Sequence, residues 1–541
     1  MHPRLTESPR LHTPYIPMLS SRNGASLRAA PAGPQAIAGL RPDDRVLVCG
    51  AGPAGLTAAY LLAQQGASVC VVEADSQVGG LARTCRYKEY SFDIGGHRFF
   101  TKIQPVQALW EDLLGEELID VPRLSRIHYE GRLFQYPLRA ADALRGLGLW
   151  TASRVLLSYV WARLYPSQRE ENFEQWVSNR FGSELYRIFF KTYTEKVWGI
   201  PCTEIRSEWA AQRIQGLSLA RAIFSATPLQ RRSNDIRTLI ESFKYPRLGP
   251  GQLWERCHDR IRSQGGQVLL QHRVDGFETN GRRVVAARIR TPQGERRLEA
   301  EHFISTLSLR ASVRAFGAAA PKGARAAAER LSYRDFILVA LVVEGANLFP
   351  DNWIYVHTPG VAVGRIQNFN NWSAALVPVA NTTLLGMEYF CNHGDPLWSK
   401  SDEELIALAT RELEYLGFTG GGVRDGTVVR VLEAYPVYDS NYRECVHTVR
   451  DFVDGLENFH TIGRNGMHKY NNQDHSMLAA MMVVDNLNGA NHDVWSVNSD
   501  FEYQEEVRQN MVVAAPSSAI RIWGEGVATP GPSRRHYRPL T

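Results

Sequence analysis

Residues 45–73 read RVLVCGAGPAGLTAAYLLAQQGASVCVVE. Arg45–Cys49 is a short apolar run of strand character. The stretch LTAAYLLAQQ, residues 56–65, reads as a helix stopped by Gly66, and Ala67–Glu73 as a second buried strand. Together they form one βαβ unit, with Gly50-Ala51-Gly52-Pro53-Ala54-Gly55 supplying GxGxxG where a dinucleotide needs it. Gly50 makes the tight turn, Gly52 lets backbone approach a pyrophosphate, and Gly55 allows helix and strand to pack closely. Pro53 and Ala54 open the helix, whose free N–H groups and positive dipole end face the anion. Glu73 closes the second strand, where its carboxylate can accept hydrogen bonds from ribose hydroxyls.

The next residues, ADSQVGGLART (74–84), extend this pattern. An acid, five residues, a Gly pair and an Arg three residues on is the FAD-type form of the fingerprint. Gly79-Gly80, followed by Leu81, lets backbone pass close to the dinucleotide, and Arg83 is placed to reach phosphate or flavin. FAD is the expected cofactor.

The rest of the chain supplies the context. A length of 541 residues is too great for one core, so two or three structural units are expected. With 44% hydrophobic and 22% charged residues, the composition excludes a disordered, collagen-like or coiled-coil chain. A net charge of +5 is too small to argue for nucleic acid. The 7 cysteines form no CxxC pair, so no metal site is expected, and their sparse use suits a cytoplasmic location. The first residues, MHPRLTESPRLHTPY, lack the apolar core of a signal peptide. Gly146–Tyr165 is interrupted by Arg154 and Arg163. It reads as an amphipathic or buried helix rather than a membrane span, with a peripheral membrane role as the lesser alternative.

The expected fold class is α/β, a discontinuous Rossmann-type FAD-binding domain with an inserted helical domain and an antiparallel β-sheet domain. Flexible tails are expected at 1–44 and 524–541. The FAD-binding segments are 45–134, 246–310 and 456–523, with helices over 135–245 and an antiparallel, substrate-side sheet over 311–455. Residues 265–307 alternate like hairpins with NG and QG turns.

Further motifs carry a resemblance. Phe92-Asp93-Ile94-Gly95-Gly96-His97, Tyr193-Thr194-Glu195-Lys196-Val197-Trp198 followed by Arg213, and Trp353-Ile354-Tyr355 followed by Arg365 come first. Tyr435-Pro436, Gly463-Arg464-Asn465-Gly466-Met467-His468-Lys469-Tyr470 and Asn472-Gln473-Asp474-His475-Ser476 follow. In this order, over residues 45–490, they resemble the UDP-galactopyranose mutase family within the amine-oxidase-like FAD superfamily, more its eukaryotic type. The resemblance implies ring isomerisation of a nucleotide-diphosphate sugar, UDP-linked, with N5 of reduced flavin attacking the anomeric carbon and NAD(P)H as a reductant.

It also implies roles. Arg213 and Arg365 clamp the diphosphate, and Tyr355, Tyr435 and Tyr470 donate to it. Tyr193 and Trp198 line the nucleotide and sugar side. Gly96 and His97 sit at the flavin, Val274 lies near the adenine, and Gly463, Arg464, Asn472, Gln473 and Ser476 hold the flavin and ribityl chain. Asp474 and His475 are expected to cap a helix, and Trp353 to be core. Arg334 stands between a site cation and a strand-end ion pair. Arg98 and Lys102 depart from the family pattern and can meet an acidic group that galactose lacks. The competing reading is an FAD-dependent oxidoreductase on a nucleotide sugar or related metabolite, and the oligomeric state is open.

Overall fold

The computed structural model describes residues 40–41, 43–136, 138, 140–207, 238–239, 241–418, 420–498 and 506–507. The expected tail 524–541, most of 1–44, and Arg213 lie outside the described residues.

Five parallel strands form the cofactor-side sheet, in the order Gln267–Leu269, Ser68–Val72, Arg45–Cys49, His302–Ser305 and Phe459–Thr461. They come from three separate stretches of sequence. The central strand buries Val46, Leu47, Val48 and Cys49 almost completely, as a parallel strand covered on both faces must. One face packs on the helices Pro53–Gln64, Gly251–Ser263 and Gln473–Leu487. Leu47, Cys49 and Phe303 face the other way. There they meet a core built with a three-stranded antiparallel sheet, Arg273–Asn280, Arg283–Thr291 and Gly294–Glu299.

A seven-stranded sheet lies on the substrate side. Its order is Val423–Pro436, Tyr333–Glu344, Thr382–Cys391, Arg365–Asn368, Trp353–Val356, Ser125–Tyr129 and Arg132–Gln135. All neighbours are antiparallel except Trp353–Val356 with Ser125–Tyr129. Tyr333–Glu344 and Thr382–Cys391 are buried along nearly their whole length because an apolar cluster covers each face.

Two boundaries differ from the sequence reading. Ser125–Tyr129 and Arg132–Gln135 fall within the expected segment 45–134, yet they form the edge of the substrate-side sheet. Their hairpin turns at Glu130-Gly131, both with positive φ (47° and 76°), a local signal for a tight two-residue turn. Ser242–Pro246, placed in the helical segment, pairs with Leu118–Pro122. Strand partners are chosen by long-range packing, which local pattern does not report.

The helices Leu149–Leu164, Phe173–Phe181, Ser183–Tyr186 and Thr192–Trp198 share a core that includes Phe173, Trp176, Phe181, Phe189 and Trp198. Residues Arg187–Lys191 between the last two form a wider π-type turn.

Two buried histidines set an acid limit on this fold. Burial, with Lys196 adding to it, pushes His357 down to about 3 from the ordinary 6.5. Burial pushes His468 down to about 4 from the same value. Each stays neutral when folded, so the unfolded chain takes up protons first as pH falls. Their stability contribution is complete above about pH 6.5 and is lost as pH drops toward 4 and then 3. Thermal melts at pH 7.5 and pH 5 should therefore differ by roughly 5 °C or more, the acid sample melting lower. Equal midpoints would contradict this assignment.

Candidate functional site

The carboxyl ends of the parallel strands meet the seven-stranded sheet at a cavity of about 300 Å³. Ligand crevices of open α/β sheets lie at such strand ends. On its cofactor side the cavity is lined by Gly50, Gly52, Pro53, Ala54, Glu73, Gly80 and Leu81.

The geometry explains each glycine. Gly50 has φ +105°, and a Cβ there would lie 2.1 Å from Thr306 Oγ1. A Cβ on Gly80, at φ +54°, would lie 3.1 Å from Gly52 Cα, so the two glycine turns face each other across a narrow gap. Gly55 lies off the cavity. Its Cβ would meet the Gly50 carbonyl oxygen at 2.0 Å, the close helix–strand approach its position predicts. Glu73 folds back on the turn, accepting from Ala51 N–H at 2.6 Å and Asp75 N–H at 2.9 Å.

Arg83 does not line the cavity. Its Nη1 donates to the Gly80 carbonyl at 3.1 Å and lies 3.5 Å from Asp75, so it braces the Gly79-Gly80 turn. Val274 is also absent from the lining and packs into the core beneath the three-stranded sheet.

The opposite part of the wall carries Gly95, Gly96, His97, Arg98, Arg365, Tyr435, Arg464 and Tyr470. Tyr435 and Tyr470 stack at 5.6 Å and 19°, with the Arg464 guanidinium 5.4 and 4.9 Å from their centroids. Arg464 donates to two backbone carbonyls, those of Asn471 at 2.9 Å and Ala434 at 3.2 Å.

Arg365 is the cross-strand partner of Tyr355 on one side and of Glu388 on the other. The ten-residue interval between Tyr355 and Arg365 is thus the span of an antiparallel pair. Arg365 Nε donates to Glu388 Oε2 at 2.6 Å, and Gln367 Nε2 donates to Oε1 at 2.8 Å. Burial opposes the charge of Arg365, but Glu388, Tyr435 and Tyr193 outweigh it and hold its pKa well above the ordinary value.

Burial, with the positive charges of Arg464 and Arg365 behind it, holds His97 down to about 3. His97 is therefore neutral at physiological pH, and its Nδ1 is buried without a partner among the described residues.

Tyr193, Trp198 and Tyr355 lie behind the cavity wall. Tyr193 meets Tyr355 edge-on at 5.5 Å and stacks on His357 at 4.7 Å, and Trp198 lies 6.2 Å from Tyr470. Arg334 turns away from the cavity. It donates to the carbonyls of Lys196, Val197 and Phe390, tying the end of the helix Thr192–Trp198 to the sheet. Trp353 is buried beside Trp372.

Gly463, Asn472, Gln473 and Ser476 line the cavity at the start of the helix Gln473–Leu487. His475 Nδ1 accepts from the Asn472 N–H at 3.3 Å, closing the helix start. Asp474 accepts from Thr101 Oγ1 at 3.0 Å and so anchors the loop after His97.

Sequence reading missed Glu388, Asn465, Thr306 and Phe336. For Glu388 a signal was present, as it is the lone acid in the apolar strand TTLLGMEYFC. Thr306, Phe336 and Asn465 are ordinary in their local context, and only the tertiary fold brings them here.

The residues fit a flavin dinucleotide. Two helix N-termini, at Pro53 and Gln473, open on one cavity, matching the central pyrophosphate and the electron-rich edge of the isoalloxazine of such a ligand. Asn465 Oδ1, like His97 Nδ1, is a buried polar atom with no partner among the described residues.

Residues 53–443 match the family described as flavin containing amine oxidoreductase. The chain belongs to this family, and FAD is its cofactor. Among solved structures, the flavoprotein is similar to reduced UDP-galactopyranose mutase, with a TM-score of 0.74 and 20% identity over 84% of this chain and 96% of that one. Among curated proteins it is 50% identical over 58 residues to L-amino-acid oxidase of Crotalus adamanteus, spanning 11% of each chain. It is 28% identical over 151 residues to protoporphyrinogen oxidase 2 of Arabidopsis thaliana, 26% of this chain and 30% of that protein. The chain thus spans about a tenth to a third of the curated relatives it matches.

Two substitutions separate folding from cofactor binding. A Cβ on Gly52 meets nothing nearer than Gly80 Cα at 3.9 Å, so Gly52→Ala should fold but narrow the dinucleotide gap. FAD affinity is expected to fall roughly tenfold or more in a fluorescence titration. Gly50→Ala should lose stability itself, by about 1–3 kcal/mol for its positive φ alone. Normal FAD affinity in Gly52→Ala would reject the role.

Removing Glu388 leaves the Arg365 charge buried without its counter-ion. Glu388→Ala is expected to cost about 3–5 kcal/mol in urea unfolding of the holoenzyme, while Arg365→Met/Glu388→Met should regain most of it. A neutral Glu388→Ala would show that the pair is not coupled.

Proposed function

We propose that the flavoprotein is a mutase that isomerises the sugar ring of a nucleotide-diphosphate sugar, UDP-linked, without net oxidation. The observation that carries this reading is the pairing of guanidinium groups, Arg365 and Arg464, with stacked phenols, Tyr435 and Tyr470, on one cavity wall. Guanidinium forks match diphosphate oxygens bidentately, and phenols donate without adding charge while covering the site against water. Arg213, outside the described residues, completes the clamp on the family resemblance. When bound and reduced, by NAD(P)H as one source, FAD supplies a nucleophilic nitrogen to the anomeric carbon.

The chain's own residues do the rest. The helix starting at Pro53 and the Gly52/Gly80 gap receive the cofactor pyrophosphate, and Glu73 the ribose. Gly463, Asn472, Gln473 and Ser476 hold the isoalloxazine and ribityl portion. Neutral His97 offers an imidazole at the flavin without adding a cation that competes with the arginines for the substrate phosphate. Arg365 and the tyrosines keep the departed nucleoside diphosphate in place, so that its return is effectively unimolecular.

A second reading, net flavin oxidoreduction, is favoured by the Glu388 carboxylate on Arg365, which cancels one charge of the clamp. Oxidases also stand among the similar proteins.

The two readings part under anaerobic conditions. Dithionite-reduced enzyme is mixed with UDP-galactose and a panel of other nucleotide sugars. Ring-isomer products with the flavin still reduced are expected. Stoichiometric change of flavin redox state by substrate would replace the mutase with the oxidoreductase. Arg365→Ala should weaken UDP binding by about 1.5–3 kcal/mol in calorimetric titration, and unchanged affinity would remove Arg365 from the clamp.

A further inference from the structure

The helix Leu149–Leu164 carries most of the large exposed apolar side chains found among the described residues. Leu149 is 93% exposed, Trp150 77%, Leu157 69%, Trp161 66% and Leu164 67%, with Val160 between them. At 100° per residue these six fall on one arc about 120° wide. Ala152 and Val155, on the other side, pack into the helical core. The inner side of the helix is therefore used, and no described residue covers its outer face. A contiguous apolar face of this kind on a folded protein marks an interaction surface.

The charge around the face selects its partner. From Ala143 to Arg169 the chain has four arginines (Arg145, Arg154, Arg163 and Arg169) and no Asp or Glu. Helical geometry puts Arg154 beside one edge of the apolar arc and Arg163 beside the other. Arg154 is anchored by Glu184 at 2.7 Å, which holds it at its edge. Two copies joined through this face by a two-fold axis would set arginine edge against arginine edge. An anionic bilayer complements both edges, Arg163 at one and, at the other, Arg154 and Arg187, which share the single carboxylate of Glu184; Trp150 and Trp161 are residues of the membrane–water interface. The 16 residues span about 24 Å, short of the ~30 Å hydrocarbon core, and no helix among the described residues is long and apolar enough to cross a membrane.

We propose that Leu149–Leu164 seats the protein on the surface of a bilayer containing anionic phospholipid, lying in the interfacial plane with its Trp/Leu face inserted and its arginines at headgroup depth. The same core cluster that holds Val155 also contains Trp198 and packs against Tyr355, Tyr435 and Tyr470. Membrane seating is therefore mechanically continuous with the wall of the flavin cavity. The proposal stands whether the reaction is a mutation or an oxidation.

The test floats full-length holoenzyme with vesicles of phosphatidylcholine, alone or with about 30% phosphatidylglycerol. Binding is expected to the anionic vesicles and to weaken in about 0.5 M NaCl. Leu157→Glu/Trp161→Glu should bind at least roughly tenfold less, with flavin absorbance and melting temperature unchanged because both positions are exposed. Arg163→Glu should weaken binding to anionic vesicles alone. Absence of flotation, equal binding to both vesicles, or retained binding by the double variant would overturn the proposal. Light scattering is run in parallel. A dimer lost in Leu157→Glu/Trp161→Glu, with no vesicle binding by the parent, would make this face a contact between copies and would equally overturn it.

Discussion

The turn at Gly50 is the constraint on which the remaining structure depends, because every segment of the cofactor-side unit is tied to it. Gly50 N–H donates to Val72 at 2.8 Å, and Gly79 N–H donates to Ala51 at 2.8 Å. Thr306 donates to the Cys49 carbonyl through both its N–H and its hydroxyl, at 2.9 Å each. The last strand joins one step removed, with Ile462 N–H donating to Ser305 at 3.0 Å and Gly463 lying against Ala54. Four distant stretches of sequence thus converge on a few residues of backbone. A Cβ would lie 2.1 Å from Thr306 Oγ1 at Gly50 and 2.0 Å from the Gly50 carbonyl oxygen at Gly55, so glycine is a steric requirement at these two positions.

The substrate-side sheet faces a different problem, which is to hold polar chemistry inside an apolar slab. It does so with a row across three strands, Tyr355, Arg365 and Glu388, each opposite the next. The strands around the row are apolar on both faces, so a single guanidinium there would be expensive to bury. Glu388 and Gln367 satisfy it and each other, and the row becomes rigid. The Gly95-Gly96 turn lies directly over this pair, since a Cβ on Gly95 would sit 3.5 Å from Arg365 Nη2. The two halves of the molecule meet at that point, and His97 is delivered to the cavity there.

Much of this is legible in the amino-acid sequence. Residues 45–84 announced the parallel sheet and FAD because strand, glycines, helix and acid are fixed by backbone sterics and helix-dipole physics, which are local. The interval from Tyr355 to Arg365 likewise encodes a cross-strand pair. What local pattern does not carry is the partner of a side chain. Arg83 has the right spacing for a phosphate contact, and its contacts within the protein are with Asp75 and the Gly80 carbonyl. Arg334 has the setting of a site cation or a strand-end ion pair; two carbonyls at the end of the helix Thr192–Trp198 and that of Phe390 hold it, with Asp395 3.9 Å away. Ser125–Tyr129 and Arg132–Gln135 follow directly on the cofactor segment, yet their edge pairing is with Trp353–Val356, more than two hundred residues away.

The electrostatics of the cavity follow from these partnerships rather than from the number of arginines. Glu388 removes most of the net charge of Arg365, but the same contact fixes the orientation of its remaining N–H donors. A guanidinium already held in place gives up less rotamer entropy on meeting a ligand. Arg464 is placed differently, since the carbonyls of Asn471 and Ala434 orient it without neutralising it. The stacked rings of Tyr435 and Tyr470 then present it with their π faces. The two arginines are therefore unequal: one is a preorganised hydrogen-bond fork paired to a carboxylate, the other a guanidinium held by neutral carbonyls. His97, between them and neutral, lets an anion approach both without proton exchange at the imidazole.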